Sequence, residues 1–338
     1  MMTDFSTLAE FRAHLADMPK PDPAAIAGAR ARDAVLTKPP GALGRLEEVA
    51  LWLAGWQVTA TPHADRPQIA IFAGNHGVAA LGVSAFPAEV TAQMVANFVA
   101  GGAAINQFAR TFGARLTVHP IDLDRPTGDF TQGPAMSEGD CVAALRVGWD
   151  AVSADADVFV AGEMGIANTT VAAALACALC GGAPADWVGR GTGVDDAGLR
   201  RKADVVRDGV ARHRALLDDP LAVLAALGGR EIAAMTGAIA RARMLRIPVV
   251  LDGFIACAAA TVLARLHPGA LDHCIAGHVS AEHAHARLLG HLGMDPLLSL
   301  GLRLGEGSGA ALALGVVKAA AACHSGMATF AEAGVSDG

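Results

Sequence analysis

Residues Ala156–Cys180 read ADVFVAGEMGIANTTVAAALACALC. The segment opens with a short, unbroken apolar run that ends at Gly162 and Glu163, and closes with a long stretch of alanine, leucine and cysteine. A run of that length fits a strand buried on both faces, and the apolar stretch beyond the Gly/Asn/Thr turn fits a helix crossing back over it. The same texture recurs on either side. PQIAIFAG (67–74), ARLTVHPID (114–122) and RIPVVLDG (246–253) are further short apolar runs ending in Gly or Asp, separated by Ala/Leu-rich helical stretches. This alternation predicts an α/β fold with a parallel sheet and crossover helices. The opening 60 residues contain no such run and read as a helix-rich subdomain with polar breaks. There, STLAEFRAHLADM begins with a Ser cap and carries Glu10 three residues after Thr7, the capping-box spacing, before PKPDP stops it.

At 338 residues the chain holds one large domain, or a large and a small one, with a substantial core. Its hydrophobic content of 53% comes with only 4% aromatics, so alanine dominates and close helix packing follows. The apolar runs FIACAAATVLA and VAAALACALCGGA stop short of the roughly 18 to 20 residues that a membrane span requires. The first residues contain acids and no apolar signal core, so a cytoplasmic protein without a membrane partner is expected. A net charge of −7 without a Lys/Arg cluster argues against nucleic acid, which demands a basic face. Small molecules are the expected partners. Of the six cysteines only Cys177 and Cys180 form a C-x-x-C, inside a helical run and without the second half of a zinc site, so they read as core residues.

In open α/β sheets ligands bind beyond the carboxyl ends of the strands, so the segments following each run carry the functional information. Neither a G-x-x-x-x-G-K-[ST] loop nor a strand-linked G-x-G-x-x-G is present, which argues against nucleoside triphosphates and dinucleotides. GEMGIANTT offers backbone N–H groups, Asn168, Thr169 and Thr170 at a positive helix end, an arrangement that holds a phosphate and that ordinary capping also produces. Lys202, in LRRKADVV, offers a point charge nearby, or is simply solvated. Glu163 stands at the edge of the same turn, where an acid is costly beside a phosphate unless it serves a sugar hydroxyl or a base. His278, His283, His285 and His291 lack the i, i+4 spacing of a helical zinc pair, so no metal is expected. His76, at a strand end, either lines the site or makes a structural hydrogen bond. Finally, LRLGEGSGAALALGVV (302–317) puts Glu306 between two glycines at the head of an alanine-rich helix, a place where the helix dipole favours an acid even without a function.

Six phrases taken together are more specific. TKPPGALGRLEEVA (37–50), GVSAFPAEVTAQMVANFVAGGAAINQFAR (82–110), GEMGIANTT (162–170), GRGTGVDD (189–196), VVLDGFIACAAA (249–260) and LRLGEGSGAALA (302–313) closely resemble, in this order, the nicotinate-nucleotide:dimethylbenzimidazole phosphoribosyltransferase family. The resemblance runs from about residue 30 to 330. It implies transfer of phosphoribose from nicotinate mononucleotide to 5,6-dimethylbenzimidazole, giving the lower-ligand nucleotide of cobalamin, with no metal or organic cofactor. It also implies a homodimer. The implied fold is a parallel sheet of Rossmann-like winding (61–314) plus a small helical domain from both termini (1–60 and 315–338).

By the same resemblance Glu306 is the catalytic base. Attack of one benzimidazole nitrogen on C1′ makes the ring cationic, and a carboxylate of ordinary pKa then suffices to take the other nitrogen's proton. Glu163 is implied as a second, helping carboxylate. Ser84, Phe86, Gln93, Met94 and Leu304 match the part that lines the base pocket. Gly165, Asn168 and Thr169 match the ribose and phosphate turn, and Lys202, Asp252, Gly277 and Ser280 match further nucleotide contacts. Three positions depart from the pattern: Asn75 for Asp, Ala167 for Gly, and Phe86 where Tyr is common, in a chain with no tyrosine. Losing a phenol loosens selection among acceptor rings. Another acceptor (adenine, another benzimidazole or a phenol) and a non-catalytic nucleotide- or base-binding protein are the alternatives.

Overall fold

The computed structural model describes residues 5–191 and 193–336. Three helices come first, α1 (Leu8–His14), α2 (Pro23–Asp33) and α3 (Arg45–Gln57), followed by β1 (Pro67–Ala73), α4 (Glu89–Ala100), α5 (Ala104–Phe112) and β2 (Arg115–Pro120). The middle of the chain forms α6 (Glu138–Ala151), β3 (Val158–Met164), α7 (Asn168–Cys180), α8 (Asp196–Arg212), α9 (Pro220–Leu227) and α10 (Arg230–Met244). The last part forms β4 (Val249–Leu251), α11 (Phe254–Leu266), β5 (Cys274–Ala276), α12 (His283–Leu292), α13 (Ser308–Gly326) and α14 (Phe330–Ala333). Thr7, not Ser6, caps α1: its hydroxyl accepts the Glu10 N–H at 3.1 Å.

All five strands are parallel, in the order β2-β1-β3-β4-β5. This is the α/β sheet with crossover helices that the sequence predicts. The longest register joins β1 to β3, from Pro67↔Val158 to Ala73↔Met164. Strand order reverses at this pair, and there a crevice opens at the carboxyl ends. Two strands depart from the sequence reading. β2 lies at the edge and is half-exposed, not buried on both faces, because it has a strand neighbour, β1, on one side only. β5 is a three-residue strand that no apolar run announces.

Alternation along each strand divides the side chains between two cores. Ala70, Phe72, Phe159 and Ala161 face one layer, where they meet Leu145, Val171 and Ile239. Ile69, Ile71, Val158 and Val160 face the other, with Leu53 of α3, Ile105 of α5, and Leu314 and Val317 of α13. Helix α3 therefore meets the C-terminal α13 on one face, whereas Phe5 and Phe11 at the start of the chain pack on Trp149 in the other core. Arg32 of α2 clamps the end of α13, donating to the carbonyls of His324, Ser325 and Met327 at 2.9, 3.1 and 3.0 Å. The 19-residue α13, the alanine-rich helix behind Glu306, is the one helix among the described residues long and apolar enough to cross a membrane. Here it fills the second core, and Lys318 Nζ donates to the Ala64 carbonyl at 2.8 Å.

Small residues let α6 and α10 touch backbone to backbone. A Cβ on Gly148 would sit 1.6 Å from the Ala234 carbonyl oxygen, and one on Gly237 would sit 2.0 Å from that of Leu145. Gly148→Ala must push the helices apart, and overpacking of this kind costs about 1–3 kcal/mol or more. A lowered urea midpoint for Gly148→Ala, beside little change for Gly290→Ala, where a Cβ meets nothing within 4 Å, is the expected outcome.

Candidate active site

A cavity of about 310 Å³ opens at the carboxyl end of the sheet. Its walls bring together Phe86, Glu163, Gly165, Asn168, Thr169, Asp252, Ser280, Leu304 and Glu306, nine of the residues singled out from sequence. They arrive on five separate segments: the loop before α4, the β3–α7 turn, the residues after β4, the residues after β5, and the approach to α13.

Glu306 sits in an unusual turn. Gly305, Glu306 and Gly307 all have positive φ, at 79°, 63° and 77°. Glycine supplies the outer two conformations without strain, whereas Glu306 adopts one that L-residues avoid. The glycines answer a packing need as well as a conformational one. A Cβ on Gly305 would lie 2.3 Å from Glu163 Oε1, and one on Gly307 would lie 3.2 Å from the Gly162 Cα. Protein atoms thus favour glycine at these places.

Besides the Ser308 N–H and hydroxyl, which donate to the Gly305 carbonyl at 3.0 and 2.6 Å, three longer-range bonds fix this turn. The Glu306 N–H donates to Glu163 Oε1 at 3.2 Å, the Gly307 N–H to Asp252 Oδ2 at 3.1 Å, and the Ala310 N–H to Asp252 Oδ1 at 2.9 Å. Asn168 Nδ2 donates to the other oxygen of Glu163. Asp252 therefore uses both oxygens on the head of α13. His278 Nε2 stands 3.4 Å from Asp252 Oδ1.

Burial pushes the Glu306 carboxyl up to about 7, with the negative charge of Asp252 adding to the effect. Glu163 is pushed higher, to about 8, by burial above all, with the Glu306 N–H and the Asn168 amide opposing and the charges of Asp252 and Glu231 adding to the rise. The expectation of an ordinary carboxylate at 306 gives way here, because the turn carries the side chain into the wall rather than onto a solvated helix end. Asp252 goes the other way. Burial would raise it, but His278 and the N–H groups of Ala310 and Gly253 hold it below the usual carboxylate range.

Five sequence-predicted residues lie outside the cavity walls. Lys202 is 1% exposed, its Nζ donating to Thr169 Oγ1 and to the Gly189 carbonyl, both at 2.8 Å; burial lowers it to about 8, with Glu282 opposing. It braces Thr169 from behind. A Cβ on Gly277 would lie 2.8 Å from the Ala310 Cα, so this residue serves the contact with α13. Gln93 is exposed on α4, and Met94 packs beside the second core. Ser84 accepts the Phe86 N–H at 3.3 Å and shapes the loop that carries the ring. Gly165, in the wall, also leaves space for His76, whose Nε2 would lie 3.0 Å from a Cβ there.

Sequence reasoning missed Arg303, Glu282 and His278 as wall residues. Arg303 and Glu282 grip the same loop from opposite groups, Nη1 on the Gly191 carbonyl at 3.3 Å and Oε1 accepting the Gly191 N–H at 3.1 Å. Their presence in the phrases LRLGEGSG and GHVSAEH was the available signal. Among the described residues, the C-terminal histidines have separate surroundings. His285 Nδ1 accepts the Ser280 N–H at 3.0 Å while its Nε2 meets Cys257 Sγ at 3.3 Å, and His291 packs on Trp187.

A family model described as phosphoribosyltransferase (DBI_PRT) matches residues 18–335. The chain belongs to this phosphoribosyltransferase family. Over 338 residues, all of both chains, it is 65% identical to the nicotinate-nucleotide–dimethylbenzimidazole phosphoribosyltransferase of Ruegeria sp. (strain TM1040). The protein of the same name from Mesorhizobium japonicum is 59% identical over 98% of this chain and 99% of its own. The crystal structure of CobT from Thermus thermophilus superposes with a TM-score of 0.87 at 45% identity, covering 94% of this chain and all of that one.

Against the family pattern, the three departures have local structural meanings. Ala167 has φ 77°, the left-handed conformation that explains a glycine at this place, and it precedes α7 without a side-chain cap. Asn75 Nδ2 donates to the Leu123 carbonyl at 2.9 Å, and Asn75 lies outside the cavity walls. Phe86, 50% exposed, stands in the wall and offers an apolar face where a phenol would offer a donor.

A carboxyl with a higher pKa in the folded chain holds its proton more tightly there. Its stabilising contribution is full below the ordinary value of 4.5 and disappears as pH rises through about 8, as for Glu163. Glu163→Gln, with the Asn168 amide turned to match, removes this pH-dependent loss. The melting temperature of the variant relative to the parent is expected to rise between pH 5 and pH 9, as measured by thermal unfolding across that range.

Proposed function

We propose that this phosphoribosyltransferase moves 5-phosphoribose from nicotinate mononucleotide to 5,6-dimethylbenzimidazole, releasing nicotinate and α-ribazole 5′-phosphate for the lower ligand of cobalamin. The observation that carries the proposal is the Glu306 carboxyl held in the cavity wall next to Glu163, in a chain whose full-length relatives bear the name of this reaction. The attacking benzimidazole nitrogen forms a bond to C1′ as the bond from C1′ to the nicotinate nitrogen breaks, and the electron pair of that bond returns to the pyridine ring. Single displacement from the β-nucleotide inverts C1′ and yields the α-linkage. Glu306 takes the proton from the second ring nitrogen as the acceptor turns cationic.

A base near 7 is stronger than an ordinary carboxylate and is still substantially ionised at neutral pH. Glu163, holding its proton up to about 8, adds no second negative charge at neutral pH and fixes the Glu306 backbone instead. Asn168 and Thr169, at the positive end of α7, suit the ribose and phosphate, with Lys202 lending charge through Thr169. The exposed faces of Phe86 and Leu304 suit the aromatic acceptor. Those apolar residues at the rim, with Leu300 nearby in sequence at 62% exposed, also favour a homodimer. We take residues 1–60 and 315–338, joined by Arg32, as its small helical domain, and the cytoplasm as its place of action.

Chromatography of a reaction with both substrates tests the proposal: nicotinate and α-ribazole phosphate appear together. Release of nicotinate only when adenine or a phenol replaces the benzimidazole assigns another acceptor, and tight binding without turnover assigns a binding protein. Glu306→Gln is expected to lower kcat about a hundredfold or more while retaining nucleotide binding. Lys202→Ala should chiefly raise the KM for the nucleotide. An effect confined to the aromatic substrate would contradict the phosphate assignment.

A further inference from the structure

Behind the proposed base stands a pair of side chains that this mechanism leaves unused. Asp252 and His278 are 2% and 3% exposed, at the ends of adjacent strands β4 and β5. Both reach the cavity wall. Three successive left-handed residues, Gly305–Gly307, have only Ser308 as a local brace, its N–H and hydroxyl both donating to the Gly305 carbonyl, and that backbone is unfavourable for Glu306 and optional for glycine. Asp252 supplies two of the three bonds that tie the turn to the rest of the fold, to the N–H groups of Gly307 and Ala310. His278 is itself held tightly. A Cβ on Gly309 would lie 2.1 Å from its ring, and the ring stands edge-on to His285 at 5.7 Å.

We propose that Asp252 and His278 act as a positioning pair, Asp252 locking the left-handed turn that presents Glu306 to the cavity and His278 holding the Asp252 carboxylate in place. Neither group contacts the reacting atoms. The pair acts on Glu306 through charge as well as shape, because the Asp252 carboxylate adds to the burial that raises Glu306. The other titratable or charged groups of the wall are Glu163 from β3, His278 after β5, Glu282 before α12 and Arg303 on the same loop as Glu306. The inference rests on the reading of Glu306 as the base.

Asp252→Asn removes the charge and keeps one acceptor. Its KM values are expected to stay within about twofold, its kcat to fall about tenfold or more, and the acid limb of its pH profile to move below the parent's. His278→Leu should lower kcat similarly, and His278→Gln, which keeps a donor, should recover most of the loss. A raised nucleotide KM with kcat and acid limb unchanged would make Asp252 a substrate contact. A lowered melting temperature with an unmoved acid limb would make it an ordinary helix cap. If Asp252→Asn does not fold, equal activities for His278→Leu and His278→Gln overturn the proposal. Carboxyl ¹³C titration by NMR, with the Glu306 resonance assigned by its absence in Glu306→Gln, separates the two readings. A full rate for Glu306→Gln defeats the base, whereas a Glu306 midpoint unchanged by Asp252→Asn defeats the pair alone.

Discussion

Everything at the site depends on one close contact between two backbones. The Glu306 turn lies against the end of β3 so tightly that a Cβ on Gly162 would be 2.8 Å from the Glu306 carbonyl oxygen. From the other side, a Cβ on Gly307 would lie 3.2 Å from the Gly162 Cα, so the approach is tight in both directions. Because of it, Glu163 reaches the Glu306 N–H, and the two carboxyl-bearing segments share one wall although they are 143 positions apart. Sheet order then supplies the rest. β3 is flanked by β1 and β4, so the segments following all three strands converge beside this contact.

Three buried acids in so small and apolar a wall, Glu163, Asp252 and Glu306, would repel one another strongly if all were ionised. The fold distributes the charge unequally. Asp252 has a histidine and two peptide N–H groups and keeps its negative charge, whereas Glu163 and Glu306, with less compensation, are driven upward by burial. A single fixed anion then raises both neighbours. Carboxyls with separated proton affinities can take different roles, which three equivalent solvated acids could not.

Much of this is legible in the chain, and the rest has identifiable reasons. The strands β1, β3 and β4 are announced by unbroken apolar runs, since strands buried on both faces leave no polar alternation. β5 is no shorter than β4, but β4 lies within the longer apolar stretch IPVVL, whereas Cys274–Ala276 is bounded closely by His273 and Gly277 and no run stands out. Glu306, Glu163 and the α7 turn are found through contiguous phrases. Lys202 and Gly277 are found the same way but stand behind the wall, because a local phrase does not say which side of a turn faces the cavity. Arg303 and Glu282 join the wall by gripping Gly191, which lies 112 and 91 positions away from them in the chain. Long-range pairings of that kind have no local pattern.

Two of the helices that begin at the cavity, α7 and α13, treat their positive ends differently. Both enter through a left-handed residue at φ 77°, Ala167 before α7 and Gly307 before α13, and neither has a side-chain cap of its own. At α13 the protein supplies the anion itself, since Asp252 accepts the N–H groups of Gly307 and Ala310. At α7 the turn instead carries Asn168 and Thr169 into the cavity, with the Lys202 ammonium on Thr169. A helix end already neutralised by a carboxylate is a poor place for a phosphate, and one backed by an ammonium is a good place. On the proposed reaction this asymmetry orients the nucleotide, directing its phosphate to α7 and leaving the head of α13 for the carboxyl that takes the acceptor's proton.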